Sequence, residues 1–207
     1  MGKARVFDKK NDKITTINLN KYFTDKESSK KLLPIIKQLP GQVLLEFAEK
    51  PVDFSYIEYH NDVDCSQRKA QNAHASWCSI SFGDFEDTIS EDDALFGTLT
   101  HEIGHYIDFN SDHPGLAYNA EVIALYKEEC EAFVKYTSKE QQKYLDYFMF
   151  GLTSDPNQER IAEAHSILYS KEMPALNMRR YYFAQYFPRT MAAIMKLLLE
   201  EEGVDVK

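Results

Sequence analysis

Apolar residues recur along this chain at two different periods, and the switches between them mark the elements. Across residues 93–109, Leu95, Phe96, Leu99, Ile103 and Ile107 return at three- and four-residue steps, the signature of a helix with one stripe turned toward a core. In front of it, Ser90-Glu91-Asp92-Asp93 offers a serine N-cap with a carboxylate three residues on and acids at the positive end of the dipole. The helix is therefore expected to start near Ser90. Earlier still, Ser76-Trp77-Cys78-Ser79-Ile80-Ser81-Phe82 alternates as a strand does before Gly83-Asp84 turns it, and Phe54-Ser55-Tyr56-Ile57-Glu58-Tyr59 mixes aromatic and β-branched residues as a second strand. The polar stretch between them, 61–74, reads as a loop that carries His74.

Upstream, a short arm (1–28) leads into a helical pattern over 29–49 that Leu39-Pro40-Gly41 interrupts. Downstream, helices are expected near 118–136, 139–149, 157–170 and 189–202. The pattern defines a single α+β domain over 1–207, mostly helical, with a small mixed sheet at one side.

Composition narrows the class. The 207 residues are 43% hydrophobic, enough for a sizeable core, and no apolar run is long enough for a membrane span. A net charge of −9 argues against nucleic acid, whose binders present a basic face. The early lysines Lys3, Lys9, Lys10, Lys13, Lys26, Lys30 and Lys31 are interleaved with acids and read as a solvated surface. Cys65, Cys78 and Cys130 are too few and too scattered for a disulfide framework or a structural zinc site. No apolar segment follows Met1-Gly2-Lys3-Ala4-Arg5, so the expectation is a cytosolic protein or a secreted one whose signal has been removed.

The chemistry lies in His101-Glu102-Ile103-Gly104-His105. Side chains four apart on a helix stack on one face, so the two imidazoles can meet one metal ion, and Glu102 is placed to take a proton from the water such an ion activates. Gly97, His101, Gly104, His105 and Asp108 form a second face whose small residues leave room for a metal and for another segment. Gly104 costs about 1 kcal/mol relative to alanine in mid-helix, which points to close packing there.

A catalytic zinc takes three protein ligands and keeps one position open. His113 follows among Asn110, Asp112 and Pro114 and reads as surface loop. Two later segments offer carboxylates: Glu128, Glu129 and Glu131, simplest as a solvated helix face, and Glu159 with Glu163, which share one helical face. In the second pair one carboxylate can bind metal while the other accepts the free N–H of a ligating imidazole.

The segments 100–108 and 159–165, and more loosely 182–199, resemble the catalytic domain of anthrax toxin lethal factor and its relatives, the Pro-Pro endopeptidases among them. The resemblance implies a zincin-like fold with the small mixed sheet beside the zinc-binding helix, Zn2+ held by His101, His105 and Glu159, Glu102 as general base, and Glu163 as the carboxylate behind a ligand. That family also places a tyrosine ahead of the ligand glutamate to stabilise the oxyanion. An ungapped count lands here on Leu152, and a loop of different length would let Tyr147 or Tyr144 serve. The implied activity is a zinc metalloendopeptidase acting on a protein or peptide, the alternative being a weakened or inactive binding domain. An extended substrate is expected along an edge strand at 77–82, with Trp77 lining the cleft.

Overall fold

The computed structural model describes residues 2–9, 11–50, 52–56, 73–75, 79–82, 91–111, 115–143, 155–169 and 183–201. The expected arm proves to be a folded hairpin. Strands β1 (Lys3–Asp8) and β2 (Lys13–Asn18) pair antiparallel, in register from Lys3↔Asn18 to Asp8↔Lys13. Side-chain chemistry makes the turn: the Asp8 carboxylate accepts from the Asn11 backbone N–H at 3.0 Å and its side-chain amide at 2.8 Å, and Asp12 takes the left-handed φ of 48° that aspartate tolerates. Val6 and Ile17 are buried on the inner face, whereas Phe7 and Ile14 pair outside, exposed. The missing clean alternation hid these strands from the sequence.

A 3-10 turn (Leu19–Tyr22) leads to α1 (Lys26–Ile36), capped by the Asp25 carboxylate on the Ser28 N–H at 2.8 Å, and then α2 (Gly41–Glu49) follows the expected break. Strands β3 (Asp53–Tyr56), β4 (Ala73–Ala75) and β5 (Ser79–Phe82) form a mixed sheet in the order β3-β5-β4, parallel on one side of β5 and antiparallel on the other. Two expectations change. His74 sits in a strand, because Ala73 to Ala75 pair with β5. Residues 79–82 are the middle strand, not an edge, so their backbone groups are already engaged on both sides.

Helix α3 (Glu91–Asn110) packs beside β4 and β5, and of the expected core stripe Phe96, Leu99, Ile103 and Ile107 are buried, the Leu95 side chain lying outside the described ones. Each contributes about 1.5–3 kcal/mol relative to exposure. Tyr106 is buried too, its ring edge-on to Phe47 with centroids 5.8 Å apart and its hydroxyl donating to the Lys50 carbonyl. Lys50 Nζ donates to the Asn110 carbonyl at 2.7 Å, satisfying an acceptor that the end of α3 leaves open.

Past a 3-10 turn (Leu116–Tyr118), the chain continues as α4 (Ala120–Tyr136), α5 (Lys139–Lys143), α6 (Pro156–Tyr169) and α7 (Pro188–Glu201). Every residue from Glu159 to Ser166 is buried, so α6 is a central helix packed against α3, α7 and the 3-10 turn before α4. The architecture is α+β and mostly helical. No helix among the described residues is long and apolar enough to cross a membrane.

Candidate metal centre

Helices α3 and α6 cross at nearly backbone contact. A Cβ on Gly104 would lie 2.6 Å from Cα of Ala162 and 2.9 Å from Cβ of His165, so only glycine permits the approach. This is the packing reason that its mid-helix cost implied. A buried polar clamp fixes the same crossing. The Thr100 hydroxyl donates to the Gly97 carbonyl at 2.9 Å, and that carbonyl also accepts from Ser166 Oγ at 3.0 Å. Thr100 and Ser166 hydroxyls lie 3.0 Å apart, and His165 Nδ1–H donates to the Thr100 carbonyl at 2.5 Å. Burying these groups without partners would cost several kcal/mol, so the clamp holds one register between the two helices.

The start of α6 is set as firmly. Asp155 accepts from the Asn157 N–H at 2.8 Å and contacts the Tyr118 hydroxyl, while Asp108 on α3 accepts from the Ala117 N–H at 2.8 Å. Gly115 opens that loop at φ 90°, where L side chains are strained. Asp108 thus folds the loop that meets α6, and burial pushes its carboxyl above the usual range.

From this frame the side chains converge. His101 and His105 stand one turn apart with centroids separated by 4.9 Å and planes at 84°. Their Nε2 atoms face the two oxygens of Glu159, His101 to Oε2 at 3.3 Å and His105 to Oε1 at 3.4 Å, and Glu163 Oε1 lies 3.3 Å from His101 Nδ1. One donor atom from each of His101, His105 and Glu159 fits within 4.8 Å of the others. Tetrahedral ligands about 2.0–2.2 Å from an ion stand roughly 3.3–3.6 Å from one another. The two separations, each to a different oxygen of Glu159, are of that order.

Electrostatics points the same way. Glu102, Glu159 and Glu163 are all buried around the imidazoles, a cluster short of positive charge. Burial disfavours a charged His101, yet Glu163, Glu159 and Glu102 outweigh it and push its pKa up to about 10. Burial likewise pushes Glu159 up, and the two imidazoles reverse this, holding it well below the usual carboxylate range. The residues present suit a bound cation. Comparison with protein-family models, with curated proteins and with solved structures finds no match to this chain.

The rival carboxylates are occupied elsewhere. Glu129 is buried, not on a solvated face, and accepts from the Arg189 and Thr190 N–H groups at 2.9 Å each and the Thr190 hydroxyl at 2.7 Å, capping α7. Glu128 pairs on the surface with Arg189 at 2.9 Å. Tyr147, Tyr144, Leu152, Trp77 and His113 lie outside the described residues. Sequence reasoning gave no role to Thr100, His165 or Ser166. Polar residues beside the two glutamate positions on a helix without a solvated face were the available signal.

Proposed function

We propose that the chain is a zinc-dependent metalloendopeptidase with a zincin-like fold. The observation that carries this reading is the approach of Glu159 to both Nε2 atoms of His101 and His105, at 3.3 and 3.4 Å, with Glu102 between the two histidines on the same helix. Two imidazoles and one carboxylate form a donor set that zinc enzymes use for hydrolysis. When bound, zinc supplies Lewis acidity and lowers the pKa of water toward neutrality.

The protein's own groups do the rest. His101, His105 and Glu159 would hold the ion, and Glu163, its Oε1 3.3 Å from His101 Nδ1, would accept the Nδ1–H so that the Nε2 lone pair faces the site. Glu102 removes a proton from the attacking water and returns it to the leaving amine, a contribution of about 10²–10⁴ in rate. No covalent intermediate is needed. An extended peptide would lie along β4, which packs against α3 and is one of the two outer strands of the described sheet.

Hydrolysis of an unstructured protein by wild type and by Glu102→Gln, with zinc content measured in both, tests the reading. Wild type is expected to cleave and to stop when chelator is added, while Glu102→Gln holds equal zinc and loses at least about a hundredfold in rate. Equal cleavage by both would remove the catalytic assignment. Zinc bound with no cleavage by wild type would leave the inactive binding domain.

A further inference from the structure

We propose that Phe109 is the positioning residue of His105, setting the plane of its imidazole as Glu163 sets that of His101; the inference rests on the metal-binding reading above. The two candidate ligands are held differently. A ligating histidine ordinarily donates its second ring N–H to a carboxylate or carbonyl, which fixes both tautomer and orientation. His101 has Glu163 Oε1 placed for this role, 3.3 Å from its Nδ1. His105 does not: its Nδ1 is buried and has no hydrogen-bond partner among the described residues.

The torsion about the Cβ–Cγ bond of histidine has only broad, roughly two-fold preferences, so an imidazole without such a bond needs another restraint. Phe109, one turn further along α3, provides a flat face. The rings of His105 and Phe109 lie 17° from parallel with centroids 6.1 Å apart, inside the range for offset stacking. The edge-on ring of His101 stands 4.9 Å away, and in the plane so restrained Nε2 stands 3.4 Å from Glu159 Oε1. An aliphatic side chain in place of Phe109 would keep apolar contact and lose the flat surface.

The test uses metal-stripped protein titrated with Zn2+ against a chromophoric chelator, and the visible spectrum of the Co2+-loaded form. Phe109→Leu and Phe109→Met are expected to bind Zn2+ at least about tenfold more weakly and to show an altered Co2+ band, while Phe109→Tyr keeps wild-type values. Wild-type affinity and spectrum in a folded Leu or Met variant would overturn the inference and leave the metal reading intact. Equal weakening in Phe109→Tyr would overturn it as well, because the flat ring is retained there. Failure of wild type itself to take up Zn2+ would remove the reading beneath and the inference with it.

Discussion

Gly104 and Ala162 are the point at which α3 and α6 touch: a single added carbon on the glycine would fall 2.6 Å from the Ala162 Cα. The imidazoles of His101 and His105 lie on one helix of this contact and the carboxylate of Glu159 on the other. The spacing of the candidate ligands is therefore inherited from a backbone approach.

Gly104→Ala should consequently act against its usual sign. Alanine in mid-helix ordinarily stabilises by about 0.5–1 kcal/mol. Here the backbone of α6 must retreat, and an overpacking cost of about 1–3 kcal/mol is expected to win. A denaturant midpoint below wild type, with weakened zinc uptake, is the expected outcome. A stabilised variant with unchanged zinc affinity would show that the helices do not need this contact.

Removing Glu129 should separate folding from metal binding. Glu129→Ala strands the Arg189 and Thr190 N–H groups at the start of α7, a loss of about 1–3 kcal/mol, with zinc content unchanged. Glu159→Ala is expected to lose the metal. Unfolding curves and zinc analysis on both variants decide, and loss of zinc in Glu129→Ala would return that residue to the ligand set.

The candidate ligand face was legible because helical geometry makes it so: residues four apart share a side whatever the rest of the fold does, and His101 with His105, and Glu159 with Glu163, meet across α3 and α6. Gly104 was legible for a related reason, its cost in mid-helix implying a close neighbour. The hairpin at 3–18 was not, because only Val6 and Ile17 of its strand residues are buried apolar ones and the turn is made by Asp8 reaching Asn11. Glu129 was misread because a buried carboxylate that caps a distant helix has the same local sequence as a solvated one. The place of β5 depends on a pairing between segments far apart in the chain, which periodicity does not encode.

Protons and metal should compete at His101. Its folded pKa of about 10 lies above the ordinary 6.5, so in chelator-treated protein its stabilising contribution is complete below about pH 6.5 and is lost as pH rises through 10. Because the metal must displace that proton, zinc affinity is expected to rise by up to about tenfold per pH unit across the same window. Denaturant midpoints and zinc titrations at pH 7, 8 and 9 check both slopes. Glu163→Gln should flatten them, since the Glu163 carboxylate is the largest of the influences raising this pKa. Slopes that are flat in wild type would refute the assignment.

Arg160 yields the least intuitive expectation. It is 2% exposed, its guanidinium carbon lies 3.8 Å from the Tyr126 ring centroid, and its terminal nitrogen donates to Asn157 Oδ1. It makes no ion pair among the described residues, and its Nε has no hydrogen-bond partner there. A desolvated cation–π contact is worth about 2 kcal/mol, whereas burying a guanidinium costs several. The charge should therefore be a net burden while the stem contributes packing. Arg160→Met is expected to leave stability unchanged or raise it by about 1–2 kcal/mol, and Arg160→Ala to lower it by about 2–5 kcal/mol through the cavity left behind. Chemical denaturation of both variants distinguishes stem from charge. A loss in Arg160→Met as large as that in Arg160→Ala would mean that the guanidinium itself, and not its packing, holds α6 against α4.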